Sequence, residues 1–459
     1  MNSAKELIGF IRLNQKDHPF TFKDWVVTIF FDDMTEFNEI AMTKCADGVY
    51  TMPSEPKLLD SLELDAIDSN NNRIVKFQLA DGKVYSHFKS PGPPSIQLVV
   101  KYYFFSNINP KPSDKTIINV WSNGFADFLS LKPIYDVNIV DNRLEGRVFC
   151  NSDTLNMTSK GVIDGLNYEI KPTFRIENHI HSFYFYPGIS ISINKSLDYK
   201  EIYSLSESLI RKAVAFVFGR NNITFDCVSF SNWTTLGEMV INYVTNEKDE
   251  IPKHHRDDLS IPWRIIYPHF VNLLSLIKND NFDLKNMQDK RVYRFYVSDV
   301  SIAKDAAAFE AEFRFTFKSD YSPYSEDRKQ LEDEIIEELD EKIKKYTGDK
   351  KRIYKSFKKN VHQQSLYDKI LYCLNEYSNC LQNMMNKFSD GHSFEDIAST
   401  CGGTRNSVVH NKKKEEAPMR EPEAFIILRG LIYSMQLKRI GMNNEEIKNS
   451  LAHLFKIYD

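Results

Sequence analysis

The sequence predicts an α+β multidomain protein: a β-rich, sandwich-like module over residues 1–318, then an all-α helical bundle over residues 319–459. Three observations carry that division. As far as about residue 200, apolar and polar residues alternate with period two, broken by turn residues. After Tyr321-Ser322-Pro323 the apolar residues recur at helical spacing instead. Finally, 459 residues exceed one ordinary domain, and 42% hydrophobic residues, rich in Phe and Tyr, are enough for more than one core.

Taken in order, the candidate strands are Leu7–Leu13, Trp25–Phe31, Ile74–Leu79, Ile96–Phe105, Ile117–Trp121, Tyr135–Val140, Gly146–Phe149, Leu166–Ile170, His181–Tyr186 and Ile189–Ile193. Beta-branched and aromatic residues dominate them, and NNN, DG, SPGPP and PG mark the connections. Ser204–Val217 changes to helical periodicity, residues 223–230 return to a strand, and Trp263–Ile277 reads as an apolar helix. A strand pair, Val292–Val297 and Ala311–Phe317, is expected to close the module. The bundle follows as helices at about 326–346, 353–388, 393–400, a short helix or turn at 405–410, then 421–440 and 443–457. Glu421-Pro422-Glu423 makes a good helix entry, with proline in the first turn and acids beside the positive end of the dipole.

Charge and cysteines narrow the function. A net charge of −4 does not announce a nucleic-acid binder, but its distribution is uneven. Residues 326–341 are strongly acidic, and Lys350, Lys351, Arg352, Lys355, Lys358 and Lys359 form a basic stretch just downstream. That is either an ordinary solvated helix face or a track for RNA. Cys45, Cys150, Cys227, Cys373, Cys380 and Cys401 form no CxxC pair, which suits reduced thiols in a cytoplasmic protein. No apolar run is long enough to cross a bilayer, and MNSAKELIGFIRLNQ lacks the order of a signal peptide, so no membrane partner is expected. No Walker A loop, Rossmann fingerprint or nucleophile elbow is present, which argues against nucleotide-powered and hydride-transfer enzymes. No cofactor is called for. His179 and His181 alternate on a strand with no carboxylate or cysteine spaced to complete a metal site, and His254-His255-Arg256-Asp257-Asp258, which could bind a divalent ion, reads as a polar connection before the helix at 263, so no metal is expected.

The informative string lies late in the chain: Arg405-Asn406-Ser407-Val408-Val409-His410, then Asn411 and Lys412, Lys413 and Lys414. His410 can move a proton near neutral pH. Arg405 offers a fork of donors to a phosphate. Asn406 stands one helical turn before His410 and can orient its ring. The three lysines suit an anionic polymer such as RNA. Gly402-Gly403 are expected to break the preceding helix and Thr404 to cap a new one. Two looser matches, Arg264 to His269 and Arg175 to His181, lie on an apolar helix and on strands, where nothing suggests convergence.

In its helical setting this string matches the R-N-x-x-x-H signature of the HEPN domain, which residues 321–459 resemble. The whole arrangement resembles the ApeA-like group of bacterial anti-phage abortive-infection proteins, the N-terminal part in architecture only. The resemblance implies a homodimer through the HEPN domain, with paired strings forming a composite cleft, and metal-independent cleavage of RNA. Carried onto this chain, Arg405, Asn406 and His410 would be catalytic and Lys412, Lys413 and Lys414 would hold RNA. Transfer RNA is a common substrate of that superfamily, and a phage protein is the trigger such a defence implies. One feature departs from many relatives: Asn411 and three lysines, rather than a small residue, follow the histidine. The other class of function left open is a non-catalytic dimeric scaffold that binds RNA or protein.

Overall fold

The computed structural model describes residues 6–87, 92–106, 114–131, 133–140, 143–150, 153–179, 182–231, 236–243, 260–284, 287, 295–317, 326–361, 365–409 and 417–457. It divides into two compact units, one of Met1–Arg211, Asn222–Asp258 and Pro262–Val271, the other of Lys212–Asn221, Leu259–Ile261 and Asn272–Asp459. The chain is therefore α+β with a β-rich first unit and a helical second one. The second unit begins well before residue 318, the expected boundary.

The strands are β1 (Leu7–Leu13), β2 (Lys16–Lys23), β3 (Val26–Phe30), β4 (Thr43–Ala46), β5 (Val49–Thr51), β6 (Lys57–Leu58), β7 (Glu63–Asp68), β8 (Arg73–Leu79), β9 (Lys83–His87), β10 (Ser95–Ser106), β11 (Thr116–Trp121), β12 (Pro133–Val140), β13 (Arg143–Cys150), β14 (Ser159–Ile163), β15 (Leu166–His179), β16 (Ser182–Ile193), β17 (Cys227–Ser231) and β18 (Leu236–Ile241). The helices are α1 (Met34–Ala41), α2 (Phe125–Phe128), α3 (Tyr199–Ser204), α4 (Arg211–Phe218), α5 (Trp263–Ile266), α6 (Phe270–Lys278), α7 (Asp299–Thr316), α8 (Glu326–Lys345), α9 (Gly348–Val361), α10 (Leu366–Glu376), α11 (Ser378–Phe388), α12 (Phe394–Val409), α13 (Glu421–Arg439) and α14 (Asn444–Phe455). A π-helical segment, Leu205–Ile210, lies between α3 and α4.

The first unit is not a sandwich. Six antiparallel strands close on themselves in the order β3-β2-β1-β7-β8-β10. The closure depends on β10. Its Ser95–Val99 half pairs β3, while Val100–Ser106 pairs β8 on one side and, over Tyr102–Ser106, β18 on the other. Beyond β18 the sheet continues as β17-β11-β16-β15-β14, so one strand serves both barrel and sheet. Strict alternation of buried and exposed residues in β1 turns Leu7, Gly9 and Ile11 inward. Aromatic rings fill much of the interior: Phe22 meets Phe77 at 5.1 Å and Tyr103 at 5.0 Å between centroids.

In the helical unit, every residue of α13 from Ala424 to Leu437 is buried, Arg429, Ser434 and Gln436 among them. Around it pack α7, α11, α12 and α14. The expected strand Ala311–Phe317 is instead the end of α7. FRFTF does alternate, but a Ser298 capping box and the helix-forming run Asp305-Ala306-Ala307-Ala308 upstream outweigh that local pattern. Residues 295–297 form no strand, and 292–294 lie outside the described residues. The expected single helix 353–388 is three: α9, α10 and α11, the last two parted at Tyr377. Among the described residues, no helix is long and apolar enough to cross a membrane.

Candidate functional site

The described part of the string, Arg405–Val409, lies on one helix, not at a helix start. Ser393 opens α12 by accepting from the Asp396 backbone N–H at 3.2 Å and donating to the Asp396 carboxylate at 3.1 Å; the backbone N–H bond to that carboxylate holds it below its ordinary pKa. From there α12 runs without interruption to Val409, through Gly402 and Gly403. Two glycines cost a helix about 1 kcal/mol each relative to alanine. Packing on both sides offsets that cost: Ile397, Ala398, Thr400, Cys401 and Thr404 are all buried. A Cβ on Gly402 would lie 3.7 Å from Tyr367, so the backbone is close to α10 there.

Thr404 is accordingly not a cap. It is buried and donates to Glu421 Oε1 at 3.3 Å, tying α12 to the first turn of α13. Cys401 packs beneath, its thiol 3.7 Å from the Ala424 carbonyl, and burial pushes that thiol well above its ordinary pKa. Thr400 Oγ1 accepts from the Met419 backbone N–H at 3.2 Å. Three polar contacts thus fix one face of α12 and leave the next residues of the string facing outward.

Arg405 is half-buried. Its Nη1 donates to Asn406 Oδ1 at 3.1 Å, and its Nη2 stands 4.0 Å from Glu310 Oε2. Asn406 is exposed, and Ser407 donates back to the Gly403 carbonyl at 3.1 Å. So Asn406 commits its amide oxygen to Arg405, which leaves its NH₂ group as the end available to an imidazole or a phosphate. His410 and Lys412, Lys413 and Lys414 lie outside the described residues, as do His181 and the His254-His255 segment. Of the six expected site residues, Arg405 and Asn406 stand together.

Glu310 is a neighbour of Arg405 that sequence reading missed, because the end of its helix was read as a strand starting at Ala311 and the residues before it were assigned to no element. α7 is clamped to α13 by two buried ion pairs. Arg429 Nε donates to Asp305 Oδ2 at 2.8 Å, and Arg439 Nη1 to Glu312 Oε1 at 2.6 Å. Both carboxylates are fully buried, and that burial raises their pKa values against the pull of the arginines, Asp305 to about 6. Glu310 projects from the same helix between them in sequence and reaches the Arg405 guanidinium. One signal could have found it: Asp305 and Glu312 are seven residues apart, two helical turns, in a segment dense in alanine.

Among the described residues, no three His, Cys, Asp or Glu side chains stand close enough to hold a metal ion. No family model, curated protein or solved structure matches the chain.

Proposed function

We propose that this chain is a metal-independent endoribonuclease of the HEPN type, acting in the cytoplasm as an abortive-infection effector against phage. The observation that carries the proposal is the Arg405–Asn406 pair near the C-terminal end of α12, partly solvent-facing and five and four residues ahead of His410 in sequence. An arginine held by a neighbouring amide presents its remaining donors in a fixed direction, as stabilisation of a building phosphate charge requires.

In this reaction the ribose 2′-oxygen attacks the adjacent phosphorus as its proton passes to a base. The bond to the 5′-oxygen breaks, and that oxygen takes a proton. The products are a 2′,3′-cyclic phosphate and a 5′-hydroxyl, and DNA, lacking the attacking group, is spared. His410 carries a proton in one of the two transfers. Arg405 stabilises the pentacoordinate phosphorus, Asn406 orients Arg405 and His410, and Lys412, Lys413 and Lys414 hold the strand. The substrate is RNA, with transfer RNA loops the foremost candidates, and the active form is a homodimer. The β-rich unit restrains the nuclease until a phage protein engages it.

The second reading, a non-catalytic scaffold, draws on Glu310. An acid 4.0 Å from Arg405 compensates its charge within the protein, as a structural pair does. The two readings separate in one assay: RNA incubated with wild type, Arg405→Ala and His410→Ala, each with and without EDTA. The nuclease predicts EDTA-resistant cleavage that falls about 10²–10³-fold in Arg405→Ala. Binding without cleavage by all three proteins, each folded as wild type, supports the scaffold.

A further inference from the structure

The barrel mouth beside the β7–β8 turn holds a cavity of about 310 Å³. That is the small end of the range for ligand pockets, about 300–1,000 Å³, and barrel mouths are a common place for them. Its apolar lining is Leu7 of β1, Val75 of β8 and Phe105 of β10, all core residues whose side chains point into the barrel. Asp68 and Arg73 line it as well, and they stand directly opposite each other in the β7–β8 ladder, so both leave the sheet on that same inward face.

An acid and a base directly opposite on two strands ordinarily attract each other. Among the described residues, these two form no ion pair, because each is held by something else. Asp68, 1% exposed, accepts from the Asn70 backbone N–H at 3.2 Å and from Asn71 Nδ2 at 2.8 Å, inside the Asn70-Asn71-Asn72 turn. Half-buried Arg73 lies with its guanidinium carbon 5.2 Å from the centre of the Phe105 ring, and no described acid pairs with it. Glu6, at the rim, is exposed and committed to Lys23 at 2.5 Å. The cavity therefore presents one negative and one positive group kept apart. Both have capacity left, since a carboxylate has about four acceptor sites and a guanidinium has five N–H donors.

A ligand of one charge cannot satisfy both groups. A simple anion would meet Arg73 and be repelled by Asp68; a simple cation, a metal ion included, would meet the reverse. A zwitterion gives each its opposite. The two side chains arise from Cβ atoms about 5 Å apart on neighbouring strands, which suits two charges borne on a single carbon. Leu7, Val75 and Phe105 would then enclose an apolar substituent on that carbon.

We propose that the barrel mouth binds a free α-amino acid with an apolar side chain, its carboxylate forked on Arg73 and its ammonium on Asp68. The proposal concerns the β-rich unit and holds whether or not the chain cuts RNA. The test is isothermal titration calorimetry of the full chain with L-leucine at up to millimolar concentration, beside two half-molecules of it. One, 4-methylpentanoate, lacks the ammonium; the other, 3-methylbutylamine, lacks the carboxylate. Leucine is expected to bind, and each half-molecule at least about tenfold more weakly, as losing one charge-assisted pair requires. Arg73→Gln, which breaks no ion pair among the described residues, is expected to fold as wild type by circular dichroism and to bind leucine at least about tenfold more weakly. Absence of leucine binding to wild type overturns the proposal. So does equal binding of 4-methylpentanoate, which marks a plain anion site, or of 3-methylbutylamine, which marks a plain cation site. Undiminished leucine binding by folded Arg73→Gln overturns it too, since the ligand then sits elsewhere. The half-molecules are compared on wild type, so they decide even if the variant does not fold.

Discussion

Glu310 on α7 and Arg405 on α12 face each other with 4.0 Å between carboxylate and guanidinium, each about one-third exposed. The acid does two opposed things to the proposed chemistry. It limits the directions Arg405 can take, and it competes with a substrate phosphate for the same donors. Glu310→Gln removes the competition and loosens the restraint. The expected result is a split: KM for RNA falls severalfold, and the single-turnover rate at saturating RNA falls about tenfold, well short of the loss in Arg405→Ala. A purely structural role for Glu310 would leave both constants unchanged while lowering stability.

The continuity of α12 through Gly402 and Gly403 has a stability consequence. Nothing lies within 4 Å of the place a Cβ would take on Gly403, and the backbone there is ordinary helix. Gly403→Ala therefore adds helix propensity without a clash and should stabilise the protein by about 0.5–1 kcal/mol. Were the glycines a helix break, alanine would destabilise instead. Urea unfolding of the two proteins, compared at equal slope, decides between these outcomes.

Asp305 is fully buried against Arg429, and burial raises its carboxyl from 3.8 to about 6. A carboxyl whose folded pKa exceeds its unfolded pKa holds a proton in the native state that the unfolded chain has already lost. Its contribution is therefore greatest below pH 4 and declines as pH rises to about 6. The shift corresponds to a change on the order of 3 kcal/mol. Asp305→Asn lacks this titration. The unfolding free energy of wild type relative to Asp305→Asn should thus decline between pH 4 and pH 7, and a flat difference would contradict the assignment.

How much of this was legible in the sequence depends on where each signal lives. The strands that open the barrel, β1 and β3, show in LIGFIRL and VVTIF because one face of each is wholly apolar. Closure was hidden. It needs β2 and β7, whose outward faces are so charged (KDHPFTFK, ELDAID) that neither reads as a strand alone. Period two is also the same in a barrel and a sandwich, so alternation fixes which residues face inward but not what the strands close around. In the helical unit the helix entry at Glu421-Pro422-Glu423 was readable, but the setting of Arg405-Asn406 was not, because Gly402-Gly403 read as a break that packing carries α12 through. Glu310 was not, because a short alternating run at the end of α7 masked a helix set by its cap and alanines.

Barrel closure itself can be probed at Gly9. In β1 it pairs with Asp68 of β7 on one side and Phe20 of β2 on the other. A Cβ there would lie 1.8 Å from the Ile67 carbonyl oxygen and 3.1 Å from the Phe20 ring. The first obstacle is backbone, which no rotamer change relieves, so the strands must part or slide. Parting them costs the β1–β7 ladder, where Gly9 through Arg12 pair with Asp68 back to Asp65, and exposes Ile11 and Leu64. Sliding by one residue turns the whole inward set of β1 outward. Gly9→Ala should therefore cost about 3 kcal/mol, at the upper end of overpacking penalties. Hydrogen exchange localises the effect: amides of β1, β2 and β7 should lose protection first. Undiminished protection in those three strands would mean that β1 and β7 do not approach this closely, and that the barrel is open at that seam.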